Sequence, residues 1–119
     1  MVYRMKQIAL AAALLLGASQ MTHAELRVGQ YQQMKDSQRA DLYALIGGLG
    51  EGIAWANAWI ESHNQPKLYC PPNIPLQTQN YKDILDAEIT SAPPGLITPD
   101  LPIGMVIMLG LEKTFPCKK

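Results

Sequence analysis

Nucleophilic catalysis needs a nucleophile beside a base, and metal catalysis needs a cluster of ligands. Beyond residue 24 this chain offers one histidine, His63, two cysteines, Cys70 and Cys117, and scattered acids. His63 falls at the expected C-terminal end of a helix, where the helix dipole favours a cationic ring. One histidine and two cysteines do not make a zinc site. Asp83 and Asp86 stand three apart on an expected surface helix, a solvated face rather than a calcium loop. The segment GGLGEG, Gly47 to Gly52, lacks both the GxGxxG spacing and a Walker lysine. The reading is a protein that is not an enzyme, with no cofactor and no metal.

The cysteines read better as structure. Arg4 and Lys6, the apolar run from Ile8 to Leu16 and a small-residue site at Thr22-His23-Ala24 form a secretory-type signal, expected over residues 1–24. The run is too short to span a bilayer, so removal and a periplasmic location are expected. Export with an even cysteine count predicts one disulfide, Cys70 to Cys117. It would close a loop of about 48 residues and stabilise by roughly 4 kcal/mol. The alternative is two free thiols, but no CxxC and no nearby basic partner would lower their pKa.

Cleavage before Glu25 would leave about 95 residues, enough for one domain with one core. Losing Arg4 and Lys6 leaves ten acids against eight bases, a formal charge of −2. The basic residues form no stripe and do not alternate with aromatics, which argues against nucleic-acid binding.

The elements that would position any site centre on Leu42 to Ile60. This stretch holds four glycines, two tryptophans and a single charge, Glu51. As a helix it places Leu42, Ile46, Leu49, Ile53, Ala56 and Ile60 on one face. Ala44, Gly48, Gly52 and Ala56 make an i, i+4 row on another, of the small-residue kind that lets a second backbone approach. Apolar on both faces, the helix is expected to be buried on several sides, with Trp55 and Trp59 first of all in packing contacts. Glu51, Asn57 and the glycine density argue against a second membrane span. Asp36 or Ser37 is the expected cap, and His63 to Pro66 the expected stop.

Around it the pattern predicts a weak helix or arm over Glu25 to Asp36. A proline-stiffened strap follows from Lys67 to Pro75, then a helix capped by Thr78 with Tyr81, Ile84, Leu85 and Ile89 inward. The last helix opens near Pro102 and carries a buried stripe of Ile103, Val106, Ile107, Gly110, Leu111 and Thr114. The loop Ser91 to Pro102 is either a connector pinned to the core by Leu96 and Ile97 or a rigid recognition loop, with Pro94 and Leu96 as contacts. The expected fold is all-α: a small bundle of about four helices around the Gly/Trp-rich helix, closed by one disulfide. Candidate partner-binding residues are Glu51, Trp55, Asn57 and Trp59, together with Pro94 and Leu96. Tryptophan is favoured in interface hot spots.

The succession GLGEGIAWANAW, QPKLYCPP, NYKDILDAEI and LGLEKTFPC, spread from Leu42 to Cys117, resembles the Rap/Tai-type immunity proteins. These are small exported helical proteins that neutralise peptidoglycan-cleaving amidase effectors of type VI secretion. The CPP and FPC ends are the most specific part of the likeness. The chain departs from the family in lacking a further cysteine pair in its first helices. The resemblance implies a periplasmic protein that occludes the active site of such an amidase through a loop or helix face, as a homodimer. The alternative reading is a non-enzymatic envelope module, structural or housekeeping, that binds another envelope protein.

Overall fold

The computed structural model describes residues 25–37 and 39–118. The expected signal segment lies outside them. Four helices follow in order: α1 (Val28–Met34), α2 (Ala40–Ser62), α3 (Thr78–Ser91) and α4 (Ile103–Thr114). Among the described residues the only strand-like pairing is an isolated bridge between Arg27 and Pro102. The all-α class, the four segments and the Cys70–Cys117 disulfide agree with the sequence.

The helix ends show which local signals won. Ser37 donates its hydroxyl to the Met34 carbonyl (2.5 Å), so it closes α1 instead of capping α2. The long helix opens later, after an extended Arg39, with the Asp41 carboxylate accepting the Leu42 N–H at 3.0 Å. For α3 the cap is Gln77, not Thr78: its N–H donates to the Asn80 side-chain oxygen at 2.8 Å. At the other end of α2, Asn64 adopts a left-handed φ of 58°. The Asn64 N–H then reaches the Glu61 carbonyl and the Gln65 N–H the Ile60 carbonyl, both at 3.1 Å. This is a Schellman stop with asparagine in the glycine place, just ahead of Pro66.

The most enclosed element is α4. Ile103, Val106, Ile107, Gly110 and Leu111 are buried as the periodicity predicts, while Thr114 is exposed. They meet Tyr81 and Leu85 of α3, Leu42 and Ile46 of α2, and Val28 and Tyr31 of α1 in one core. Ile84 and Ile89 are half-buried at its edge. Backbone bonds pin α1 across the start of α4, from Val28 N–H to the Leu101 carbonyl (2.9 Å) and from Ile103 N–H to the Leu26 carbonyl (3.0 Å). The proline-rich loop is drawn in by Gly29 N–H donating to the Pro99 carbonyl at 3.0 Å. Its apolar anchors are Ile97 and Leu101; Leu96, expected to share that role, is exposed.

The glycines of α2 divide sharply. A Cβ on Gly50 would fall inside the Tyr81 ring, and one on Gly47 inside Thr78. Helix α3 therefore crosses α2 over these two positions. The row expected to receive a neighbour, Ala44, Gly48, Gly52 and Ala56, points the other way. All four are exposed, and nothing lies within 4 Å of a Cβ placed on Gly48 or Gly52. The physical reason is angular: Gly47 and Gly50 flank the Leu42–Ile46 stripe, whereas the small-residue row lies opposite.

After α2 the strap turns back along the helix. Asn57 holds it there, donating from Nδ2 to the Tyr69 carbonyl at 2.9 Å and accepting the Leu68 N–H at 2.7 Å. Tyr69 is thereby buried, and Cys70 N–H donates to the Phe115 carbonyl at 2.8 Å. The Cys70–Cys117 bond joins the strap to the end of α4.

Two stability outcomes follow from this packing. Gly50→Ala should destabilise by about 2 kcal/mol through overpacking against the buried Tyr81 ring. Gly48→Ala and Gly52→Ala should each stabilise by up to about 1 kcal/mol, because helix propensity improves with no clash. Chemical denaturation of the three variants tests the contrast in sign. In the same assay Cys70→Ser and Cys117→Ser should cost similar amounts, up to about 4 kcal/mol, and the double variant no more than either. Additive losses would contradict a single shared bond.

Candidate functional site

The face of α2 turned away from the core is apolar and open. Trp55 is 76% exposed and Trp59 62%, each one turn from the next on a surface whose other members are Ala44, Gly48, Gly52 and Ala56. The expectation that the tryptophans pack inside is therefore corrected. The core-facing side of α2 is already filled by α3 and α4, and nothing among the described residues covers its second apolar side. Glu51 stands on this open face, exposed and without an ion-pair partner among the described residues.

Trp59 is braced by the end of its own helix. The His63 ring stacks on it, with centroids 3.9 Å apart and planes at 28°. His63 Nδ1 lies 2.8 Å from the Trp59 carbonyl, and Ser62 donates to the same oxygen at 2.7 Å. His63 thus works as a helix terminator and as a support for Trp59. The Ser62 hydroxyl also lies 3.1 Å from His63 Nδ1, but it donates to the Trp59 carbonyl as part of the same helix end.

Beside the open face lies a groove of about 540 Å³ between the second half of α2 and the proline strap. Trp55 forms one wall; Ile74, 77% exposed, and the strap prolines form the other. Tyr69 and Tyr81 also line it, and Glu51 and Glu61 sit on the helix side. Glu61 is matched by Lys67 at 3.2 Å. A larger hollow of about 720 Å³ lies between the beginnings of α2 and α3, but two of its cations are engaged locally. Arg39 pairs with Asp41 at 2.6 Å and Lys82 with Asp86 at 2.8 Å.

Three aromatic hydroxyls are held neutral. Burial pushes the Tyr69 and Tyr81 phenols up, and the Glu51 charge pushes Tyr81 further. Tyr31 is raised well beyond the usual range by burial and by donating to the Asp86 carboxylate. Asp86 therefore serves Lys82 and Tyr31, and Asp83 accepts from Gln79 Nε2 at 2.8 Å. Both acids are engaged within the fold. Among the described residues no group of three His, Cys, Asp or Glu side chains is placed to hold a metal ion.

Of the residues singled out from sequence, the structure brings Glu51, Trp55 and Trp59 onto one open face. Asn57 is on the same helix but buried, with its amide spent on the strap. Pro94 and Leu96 are exposed on the loop before α4 and do not line the groove. Sequence reasoning did not pick out Ile74. The signal was present: an isoleucine between prolines of a non-helical strap, tethered nearby at Cys70, has little chance of reaching the core. No helix among the described residues is long and apolar enough to cross a membrane. In comparisons with known proteins, no family model, no curated protein and no solved structure matches the chain.

The raised phenols fix the direction of a pH effect. A group whose folded pKa lies above its unfolded value of about 10 contributes fully below that pH and loses its contribution as pH rises further. Tyr31, Tyr69 and Tyr81 should therefore make the protein unfold cooperatively above about pH 10. Tyrosinate absorbance rising together with loss of helical circular dichroism checks it; full ionisation of all three with the helices intact would refute it.

Proposed function

We propose that the chain is a non-catalytic binding module of immunity type, acting in the periplasm, that occludes the active site of a peptidoglycan-cleaving amidase delivered by type VI secretion. The observation that carries the binding role is the pair Trp55 and Trp59, open to solvent on a helix face with one charge. Leaving two indoles in water forgoes about 2 kcal/mol or more of burial each, which is recovered when a partner covers them. Glycine at positions 48 and 52 keeps that face flat enough for close approach. The disulfide suits an oxidising compartment outside the cytoplasm. The amidase as partner rests on the resemblance carried by the CPP and FPC ends.

A homodimer is the second reading, favoured by the same open row, along which two α2 helices could pack closely. Sedimentation of the wild type and of Gly48→Leu distinguishes it, since a bulky side chain there would separate the copies.

Co-expression with a periplasm-targeted cognate amidase tests the main reading. The wild type should prevent lysis and co-elute with the enzyme. Trp55→Ala with Trp59→Ala should weaken the complex at least about 30-fold, as expected for loss of a hot spot of about 2 kcal/mol. Lysis despite the wild-type protein, with no complex on size exclusion, would overturn it. An envelope defect on deletion in the absence of any attacker would point instead to a housekeeping module.

A further inference from the structure

We propose that the groove between α2 and the proline strap receives a lysine or arginine side chain from a segment of the partner protein. The proposal rests on the reading of the α2 face as the partner-binding face, and it names the chemistry that face selects.

Charge comes first. Of the two acids on the groove, Glu61 is matched by Lys67 at 3.2 Å, whereas Glu51 has no ion-pair partner among the described residues. The groove therefore carries one uncompensated negative charge, and a cation complements it. An acidic guest would be repelled, and a neutral one would desolvate Glu51 without replacing the lost water.

The phenols make the second observation. Tyr69 and Tyr81 are 1% and 3% exposed, yet both line the groove. Neither hydroxyl has a hydrogen-bond partner among the described residues, and no side-chain oxygen is both sealed from solvent and unpaired. Each hydroxyl therefore keeps a trace of exposure and an unused acceptor lone pair on a residue that lines the groove, and can accept an N–H bond from a guest. Held neutral by burial, they add acceptors without adding charge.

The walls decide what kind of cation. Trp55 lies one turn beyond Glu51, so carboxylate and indole are neighbours. A cation beside Glu51 falls within reach of the indole face, where its charge is attracted to the ring. Trp55, Ile74 and the prolines are apolar, which suits a charged head carried on an aliphatic stem more than a hydrated inorganic ion. The strap itself makes no backbone–backbone hydrogen bond between Pro71 and Leu76 among the described residues. The N–H groups of Asn73, Ile74 and Leu76 are thus available to the carbonyls of an extended guest, which favours a peptide segment over a small cation.

The test uses the full oxidised chain and capped tripeptides, Ac-Ala-X-Ala-amide, with X arginine, lysine, norleucine or glutamate. The chain has two tryptophans, both on this face, so two indole N–H resonances report directly; Trp59→Phe assigns them. The arginine and lysine peptides should shift the Trp55 resonance saturably, about tenfold more tightly than norleucine, a difference of about 1.4 kcal/mol. Glu51→Gln should reduce them to the norleucine level, and Glu51→Lys should turn the preference towards glutamate. Both exchanges are on an exposed site, so circular dichroism should be unchanged. Equal affinity for arginine and norleucine, indifference to Glu51→Gln, or no saturable shift with any peptide would overturn the proposal. If the peptides fail while the amidase is still neutralised through Trp55 and Trp59, the groove assignment falls alone. If the peptides bind as stated and no amidase is neutralised, the immunity reading falls and the groove stands.

Discussion

One side chain, Asn57, determines where the chain goes after its longest helix. Its amide accepts from Leu68 and donates to Tyr69, satisfying a backbone N–H and a carbonyl that the strap would otherwise carry inward unpaired. Each unsatisfied buried group costs about 1–3 kcal/mol, so the clamp fixes the direction of the strap and not merely its proximity. From that direction the rest follows. Tyr69 turns into the core, Cys70 arrives beside the end of α4, and the disulfide makes the return permanent. The strap, held alongside the second half of α2, becomes the far wall of the groove.

The same helix supports two surfaces of opposite meaning. On the inner side, glycine is used for contact: Gly47 and Gly50 admit Thr78 and the ring of Tyr81, bringing α3 close. On the outer side, Gly48 and Gly52 touch nothing. Glycine in a helix interior is unfavourable by about 1 kcal/mol relative to alanine, and the inner pair recovers that through packing. The outer pair recovers it only when something covers the face. Together with two exposed tryptophans, this leaves the outer face open among the described residues.

Much of this could be read from residue order because the determinants are local. The proline positions, the stripe of α4 and the two cysteines each act over a few residues or through an unambiguous pairing. What could not be read was the facing of α2. A helix apolar on both sides has no hydrophobic direction of its own, so periodicity assigns a stripe without saying which stripe is covered. The decision lies in α3, whose Thr78 and Tyr81 pack over Gly47 and Gly50. That fit is a tertiary fact, and it is why periodicity places Trp55 and Trp59 inside although they are exposed, and leaves Asn57 among the candidate contacts although it is buried. Caps failed for a related reason: Ser37 had two helices within reach and bonded the nearer one.

The groove also explains why Glu51 can be tolerated on so apolar a helix. Flanked by Gly50 and Gly52, it is exposed, with Trp55 one turn beyond it and no ion-pair partner among the described residues. Its field falls on Tyr81, whose phenol is pushed up first by burial and further by this charge. The carboxylate, a neutral phenol and an indole therefore stand together at one end of the groove, held there by the crossing of α3 over Gly50 and the return of the strap. A lone exposed glutamate is ordinary. One placed beside nearly enclosed hydroxyls, on a face that the fold leaves uncovered, has the composition of a cation receptor, and the elements that position it are also those that hold the fold together.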